Sequence, residues 1–293
     1  MALTTAVVWA FGVILFKKSG ETAHPIALNL FKNLFAFVLY PLTLLLMNKS
    51  LFHQAPAYDV WMLLLSGALG IGIADTLFFM SLNIIGASRD AIVSCLYSPA
   101  IIFFAFIIID ERLALLQFIG VILIVGAVLT IGKEKGGNAI PRRQLYLGIF
   151  YGLLSNCLTA IGVVIVKRIL ERSPLFWAME VRLVGALIVL AVILLLHPGR
   201  GGILRTVFVK KGIGYMTLGS FSGTYLALIF WLGGMKYTMA STAAALNQTS
   251  NIFVFIFAAL MLKEAINREK IIGIVMGMAG VFLVTFGIKL QLF

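Results

Sequence analysis

Four ionisable side chains lie inside long apolar runs, and they are the residues of this sequence that could do chemistry in a membrane. They are Lys32, Asp75, Glu180 and Arg182. A charge in hydrocarbon is costly, so such groups usually mark a functional site. Lys32 and Arg182 lie 150 positions apart, each roughly two turns into an apolar run. Two cations that face one cavity would attract a carboxylate or phosphate. In the alternative interpretation, both long side chains reach to the membrane surface.

Asp75 lies in the segment IGIADTLFF, with no charged residue three or four positions away. A lone carboxyl group in a membrane could carry the coupling proton of a transport cycle. Alternatively, it pairs with Lys32 or another cation across a helix interface and only stabilises the helix bundle. The sequence leaves both interpretations open.

Polar residues interrupt two further apolar runs. Tyr97 lies just before Pro99, and residues 247–251 are five consecutive polar residues. Asn247 and Asn251 share one helix face because they are four positions apart. This face either lines a polar cavity or forms hydrogen bonds between helices. Pro99 would free a backbone carbonyl and kink its helix, as a gating element requires.

Aromatic side chains are the last candidates for a binding site. Trp9 and Tyr225 are interpreted either as cavity walls or as anchors at the membrane interface. Together with the polar residues, they complete the predicted substrate-binding set: Lys32, Arg182, Tyr97, Asn247, Asn251, Trp9 and Tyr225.

The elements that carry these residues follow from composition. Of the 293 residues, 61% are apolar and only 12% are charged, against ~45–50% and ~25% in soluble proteins. The sequence therefore predicts an all-α integral membrane protein and excludes a soluble enzyme. Apolar runs separated by charged or Gly/Pro breaks predict ten transmembrane helices, at residues 2–16, 26–47, 60–81, 88–109, 113–132, 145–166, 175–196, 213–235, 239–262 and 270–290.

An internal repeat divides the chain in two. A shift of 153 residues aligns Gly70 with Gly223 and Glu111 with Glu264, and a shift of 150 aligns Gly12 with Gly162. We expect a first five-helix repeat at 1–132, a central loop at 133–144 and a second repeat at 145–293. Because five is odd, the second repeat must enter the membrane inverted, as in many secondary transporters.

Glycines also recur at G-x-x-x-G spacing, which favours close helix packing. We expect this packing within a monomer rather than a strong dimer. The pairs are Gly148/Gly152, Gly219/Gly223 and Gly273/Gly277.

Charge and rare residues exclude other functions. The net charge of +12 is explained by loop Lys and Arg that set topology and contact anionic lipid, not by nucleic acid. Those loops hold 14 basic residues on the side opposite the N-terminus and 7 on the N-terminal side, which predicts an external N-terminus. The two cysteines and three histidines form no metal motif, and no ATPase or protease motif is present. We expect neither a cofactor, nor a metal, nor an enzymatic activity.

The stretch from Ala87 to Gly132 resembles the fourth and fifth helices of the EamA-type drug/metabolite transporters. The resemblance rests on an Ala-Ser pair, a Pro in the fourth helix and an acidic turn. The residues are Ala87-Ser88, Ser98-Pro99 and Asp110-Glu111-Arg112-Leu113, then Ala240-Ser241 and Lys263-Glu264-Ala265 in the second copy. The first helix, from Trp9 to Lys17, and the basic Lys32 and Arg182 also match the family.

This resemblance implies ten helices, two inverted repeats, a central cavity and cytoplasmic termini, the last in contrast to the charge count. Family members often carry Glu just before the fourth-helix Pro, where this chain has Ser98, so no carboxylate role transfers there. Glu111 and Glu264 are interpreted as structural residues of helix–helix corners.

The sequence thus predicts a secondary transporter in the cell membrane. We expect an exporter of small metabolites such as amino acids, working by alternating access and using protons as the coupling ion, as a monomer or weak dimer. The alternative is a membrane scaffold or receptor-like protein without a transport cycle.

Overall fold

The computed structural model describes residues 2–48, 53–109, 115–132, 140–230 and 248–290. All regular elements in these ranges are helical. Their bounds are α1 Ala2–Ser19, α2 Pro25–Leu46, α3 Ala57–Gly67, a first π segment Ala68–Ile73, α4 Ala74–Ile85, α5 Ala87–Ser94, α6 Tyr97–Ile109, α7 Leu115–Ile131, α8 Arg142–Val164, α9 Lys167–Arg172, α10 Leu175–Leu196, α11 Arg200–Arg205, a 3-10 turn Thr206–Phe208, α12 Lys210–Gly219, a second π segment Ser220–Leu226, α13 Ser250–Leu262 and α14 Arg268–Leu290.

The prediction of an all-helical membrane protein is confirmed. Each of the ten apolar runs contains helix within the described residues. Seven helical segments are long and apolar enough to cross a membrane, and the shorter apolar helices α7 and α13 accompany them. Large apolar side chains cover the outer surface, among them Leu46, Leu129 and Leu196, which are 78%, 65% and 79% exposed. Such a surface suits lipid and not water. The total of ten spans stays a prediction.

The helix interruptions fall at equivalent positions of the repeat. The first π segment, shifted by 153 residues, coincides with 221–226 of the second. The fourth run breaks between α5 and α6 at Cys95 and Leu96, and the ninth turns at Thr249, which the same shift makes equivalent to Leu96. Pro99 follows the first break, but Ile252 is its counterpart in the second half. A proline is therefore not what both breaks have in common.

Glycines make reciprocal contacts between the two proposed halves. A Cβ on Gly12 of α1 would lie 2.4 Å from Gly223 Cα in the second π segment, and a Cβ on Gly162 of α8 would lie 3.0 Å from Gly70 Cα in the first. Gly12 corresponds to Gly162 and Gly70 to Gly223, so the same crossing occurs twice with the partners exchanged. This reciprocity is the signature of a two-fold axis, and it agrees with a two-repeat architecture.

The G-x-x-x-G glycines are also used inside the chain. A Cβ at Gly152 would lie 2.6 Å from Val93 Cγ1, and one at Gly277 would lie 2.9 Å from Cys95 Sγ. At Gly148 and Gly273 the nearest side-chain atoms, on Ile85 and Thr130, would be 2.3 and 2.6 Å away. These glycines permit close approach of neighbouring helices, as expected for packing within one chain.

Candidate functional site

A central cavity of about 280 Å³ lies where α1, α2, α4, α10 and the two π segments meet. Its wall is mostly apolar, with a few charged and hydroxyl groups, as is usual for small-molecule sites. The lining residues are Thr5, Trp9, Lys32, Asn33, Tyr40, Ile71, Asp75, Met179, Leu183, Gly223, Thr224, Ala227 and Leu228.

The π segments shape this cavity because a π turn leaves backbone carbonyls without their usual helical partners. In the first π segment, the Asn29 side-chain amide of α2 donates to the carbonyl oxygens of Ile71 at 3.0 Å and Gly72 at 2.8 Å. It also donates to Thr76 Oγ1 at 2.9 Å. Asn29 is fully buried. One side chain thus fixes the irregular backbone that forms the cavity wall.

Lys32 and Asp75 form an ion pair in the wall of the central cavity. Lys32 Nζ donates to Asp75 Oδ2 at 2.6 Å, and the two side chains are 7% and 27% exposed. Lys32 Nζ also donates to Asn33 Oδ1 at 3.2 Å. Asn33 in turn donates to Asn29 Oδ1 at 2.9 Å. The pair is therefore connected by hydrogen bonds to the residue that fixes the first π segment.

Arg182 lies beside the central cavity, on the same helix as the lining residues Met179 and Leu183. It is 5% exposed, and its guanidinium interacts electrostatically with Asp75 and Tyr97. Nη1 contacts Met179 Sδ at 3.7 Å. Among the described residues, Arg182 Nε has no hydrogen-bond partner. Two cations thus flank Asp75 and leave positive charge next to the cavity.

Tyr40 and Thr224 close the cavity between α2 and the second π segment. Tyr40 Oη donates to the Thr224 carbonyl at 2.6 Å, while Thr224 Oγ1 is buried without a hydrogen-bond partner among the described residues. Glu180 Oε1 is also buried without a hydrogen-bond partner among the described residues. The Glu180 carboxyl group interacts electrostatically with Tyr40. An unsatisfied buried polar atom costs free energy, and of these two residues Thr224 is the one that lines the central cavity.

The remaining predicted binding residues lie at different places. Trp9 lines the central cavity. Tyr225 packs against Tyr40, with ring centroids 5.8 Å apart, and shares a 2.6 Å hydrogen bond with Thr43 Oγ1. Asn251 is 6% exposed and donates to Cys95 Sγ at 3.7 Å, so its amide serves a contact between helices and does not reach the cavity. Asn247 lies outside the described residues.

Two polar contacts join the broken helices reciprocally. Gln248 donates to Ser98 Oγ at 2.8 Å, and Asn251 donates to Cys95 Sγ. The 153-residue shift makes Cys95 equivalent to Gln248 and Ser98 equivalent to Asn251. These contacts, like the glycine contacts, are therefore one interaction formed twice.

The predicted corner residues are described only in part. The Glu264 carboxylate accepts from the backbone N–H groups of Ala87 at 2.7 Å and Ser88 at 2.9 Å, and also from the Ser88 hydroxyl. It thereby caps the first turn of α5, in the other proposed half. Gly86, just before that turn, has φ of 83°, a conformation that favours glycine. Glu111 lies outside the described residues.

The residues that sequence reasoning missed are polar side chains of ordinary type. Asn29 and Asn33 lie four positions apart on the helix that carries Lys32, and this spacing was the available signal. Tyr40, Thr224 and Met179 gave no pattern in the sequence. Within the described ranges, no group of three or more His, Cys, Asp or Glu residues could hold a metal.

A helical bundle with a lipid-facing surface and a partly polar central cavity defines the class as a multi-pass membrane protein. The EamA-like transporter family matches residues 1–133 and 146–286. The chain belongs to this family, as the sequence resemblance predicted.

Known relatives agree with this assignment. An uncharacterized transporter of Archaeoglobus fulgidus is 26% identical over 100% of this chain and 96% of its own length. The uncharacterized transporter YetK of Bacillus subtilis is 26% identical over 50% of this chain and 43% of its own. A solved crystal structure superposes with a TM-score of 0.61 over 99% of this chain and 97% of that chain, at 14% identity, which shows a common fold.

Proposed function

We propose that this transporter moves small polar or amphipathic metabolites, such as amino acids, out of the cell by alternating access through the central cavity. The observation that carries the proposal is the Lys32–Asp75 ion pair in the cavity wall, with Arg182 beside it. This arrangement offers both signs of charge within a mostly apolar space of about 280 Å³. A small solute with a negative group and an apolar body fits that chemistry.

The architecture that we propose for this cycle is ten spans in two inverted five-helix repeats, at 1–132 and 145–293, in the cell membrane. The reciprocal glycine and polar contacts support it. In such folds the two repeats rock about a site at their interface, and the central cavity takes residues from both halves. Asp75 is proposed to exchange its partner Lys32 for a proton during the cycle.

Transport by the purified protein tests the proposal. Proteoliposomes loaded with labelled amino acids should release them faster than protein-free liposomes, and an imposed pH gradient should change the rate. Lys32→Ala and Arg182→Ala should each lower the rate at least about tenfold, which corresponds to the loss of one charge-assisted contact. Lys211→Ala, at an exposed lysine at the start of α12, is the control. Normal transport by both cavity variants would exclude the role of these cations.

A further inference from the structure

The polar network around Lys32 exists in only one copy of the repeat. In the first half, four polar side chains are joined by hydrogen bonds: Asn29, Lys32, Asn33 and Asp75. The offsets of the repeat, 150 residues for α2 and 153 for α4, give their second-half counterparts, in the same order: Met179, Arg182, Leu183 and Leu228. Arg182 is the only polar residue of this second set. The second copy therefore keeps the cation and lacks the carboxylate and the two amides.

The central cavity lies where these polar groups are missing. Three of the counterparts line it, namely Met179, Leu183 and Leu228. The reciprocal glycine contacts relate the two copies by a two-fold axis. By that axis, the counterpart of the Lys32–Asp75 ion pair is a cation beside an apolar side chain at the edge of an open space.

Arg182 lacks the acceptors that its counterpart has. A guanidinium carries five N–H donors, and Arg182 is only 5% exposed. Its Nη1 contacts Met179 Sδ at 3.7 Å, and its Nε has no hydrogen-bond partner among the described residues. Sulfur is a weak acceptor, whereas Lys32 Nζ has a carboxylate oxygen of Asp75 at 2.6 Å. Binding an oxyanion would therefore stabilise the Arg182 guanidinium.

We infer that Arg182 anchors a substrate carboxylate, which supplies in the second copy the charge that Asp75 supplies in the first. Two N–H groups of a guanidinium bind the two oxygens of a carboxylate side by side. The apolar wall formed by Met179, Leu183 and Leu228 then receives the body of the substrate. This role of Arg182 rests on the proposed function, because it takes the ligand of the central cavity to be the transported solute.

The charge balance selects a single carboxylate. Lys32 and Asp75 line the cavity, and Arg182 interacts electrostatically with Asp75 from beside it. These three side chains carry two positive charges and one negative charge, so one carboxylate makes the group neutral. A phosphate or a dicarboxylate would leave an excess negative charge in a mostly apolar space, which is costly. The substrate class is therefore a small monocarboxylate with an apolar body.

Leu228→Asp tests this role of Arg182, because it supplies the missing carboxylate from the chain itself. The new carboxylate should pair with Arg182 and exclude the ligand. Leu228→Asn is the matched control, since it removes the same apolar contacts without adding a charge. Lys211→Gln lowers the net charge by as much as Leu228→Asp does, but at an exposed residue that does not line the cavity.

Binding is measured on the purified full chain by calorimetric titration at constant ionic strength. The probes are L-leucine, isocaproate, which lacks the amino group of leucine, and isoamylamine, which lacks the carboxylate. Wild type and Lys211→Gln should bind both carboxylates and not the amine. Leu228→Asp should bind the carboxylates at least about tenfold more weakly than Leu228→Asn, which corresponds to the loss of one charge-assisted contact.

Unfolding temperatures test the same pairing without any ligand. Leu228→Asp should lower the unfolding temperature less in the protein that has Arg182 than in the Arg182→Met protein, because only the former offers a cation. Leu228→Asn should cause the same loss in both. Equal losses for Leu228→Asp in both backgrounds would overturn the assignment. Equal carboxylate binding by the Asp and Asn variants, or wild-type protein that binds neither carboxylate, would overturn it as well.

The titrations do not depend on a transport cycle. A protein that binds isocaproate and L-leucine but moves neither across liposomes would keep the carboxylate site and exclude the proposed transport of these solutes. A protein that moves solutes but binds no carboxylate would exclude the site and keep transport. Failure of the binding site and failure of the proposed function are therefore separate results.

Discussion

At the scale of single residues, the structure shows the pairing that one of the two interpretations of Asp75 requires, while proton coupling by Asp75 stays a proposal. Asp75 is paired with Lys32 across α2 and α4. The sequence could not predict this because the residues are 43 positions apart and no periodicity connects them. Their positions inside apolar runs identified both residues as important, but only the packing of α2 on α4 brings them together.

Asp75→Asn should destabilise the protein by about 2–3 kcal/mol. This is less than the ~3–5 kcal/mol lost when a fully buried pair is broken, because 27% of the Asp75 side chain is exposed. The double variant Lys32→Met/Asp75→Leu should recover most of the loss, since apolar replacement of a buried ion pair is often neutral. Thermal unfolding in detergent measures both effects. The double variant should still fail to transport. An Asp75→Asn protein as stable as wild type would show that the pair contributes nothing.

At the scale of elements, composition and the repeat predicted the helices well, and the interruptions poorly. The apolar runs gave helix positions because lipid demands long apolar segments. The π segments and the break at Thr249 could not be predicted, because their cause is tertiary. Asn29 satisfies the carbonyls of one π segment from another helix, and Gly12 allows α1 to pack against the other π segment.

Gly12→Ala should destabilise the crossing of α1 with the second π segment. The added methyl group would lie 2.4 Å from Gly223 Cα, and backbone must move to accept it, at a cost of about 1–3 kcal/mol. Gly162→Ala should act similarly at the reciprocal crossing. Gly214→Ala is the matched control, because no atom lies within 4 Å of its added Cβ. In a helix, that change should stabilise by about 0.5–1 kcal/mol. The unfolding temperature should therefore fall in Gly12→Ala and Gly162→Ala and rise in Gly214→Ala. A rise in all three variants would contradict the proposed close packing.

The start of α2 should respond to pH through His24. His24 is the N-cap of α2, and its Nδ1 accepts from the Ile26 N–H at 3.3 Å. Burial lowers the pKa of His24 below its ordinary value, and the neighbouring His197 lowers the pKa further. The unfolded chain therefore takes up a proton near pH ~6.5, while the folded protein keeps His24 neutral. This part of the stability is complete above that pH and is lost as the pH falls towards the folded pKa.

Melting curves between about pH 7.5 and 5.5 measure this effect. His24→Asn keeps a good N-cap side chain and removes the titrating group, so its melting temperature should fall less on acidification than that of wild type. His53→Asn, at an exposed histidine, should behave as wild type does. Identical acid sensitivity of all three proteins would exclude His24 as the cause.

At the scale of the whole molecule, the two proposed halves pack mainly on each other. The first-half helices α1, α4 and α7 contact α13, α8 and α14 of the second half, and α3 contacts α10. The repeat in the sequence predicted that the halves are equivalent, but not that their helices would pair across the interface in this way. That information lies in contacts such as Gly12–Gly223 and Gln248–Ser98, which only the assembled structure provides.

Such packing predicts that the halves are interdependent. A first fragment ending at residue 132, expressed alone, should be degraded or should aggregate. Its α1 surface around Gly12 and its part of the central cavity wall would lack the second-half residues that they contact. Co-expression with a tagged second fragment, starting at residue 133, should restore both fragments to the membrane, and they should co-purify in equal amounts. Gly223→Leu in the second fragment should reduce the yield of the complex, since Gly12 Cα lies 3.1 Å from the position of its Cβ. Gly214→Leu, in open space, should leave the yield unchanged. A first fragment that is stable and monodisperse by itself would mean that each half folds independently, and would exclude an interface that both halves need in order to fold.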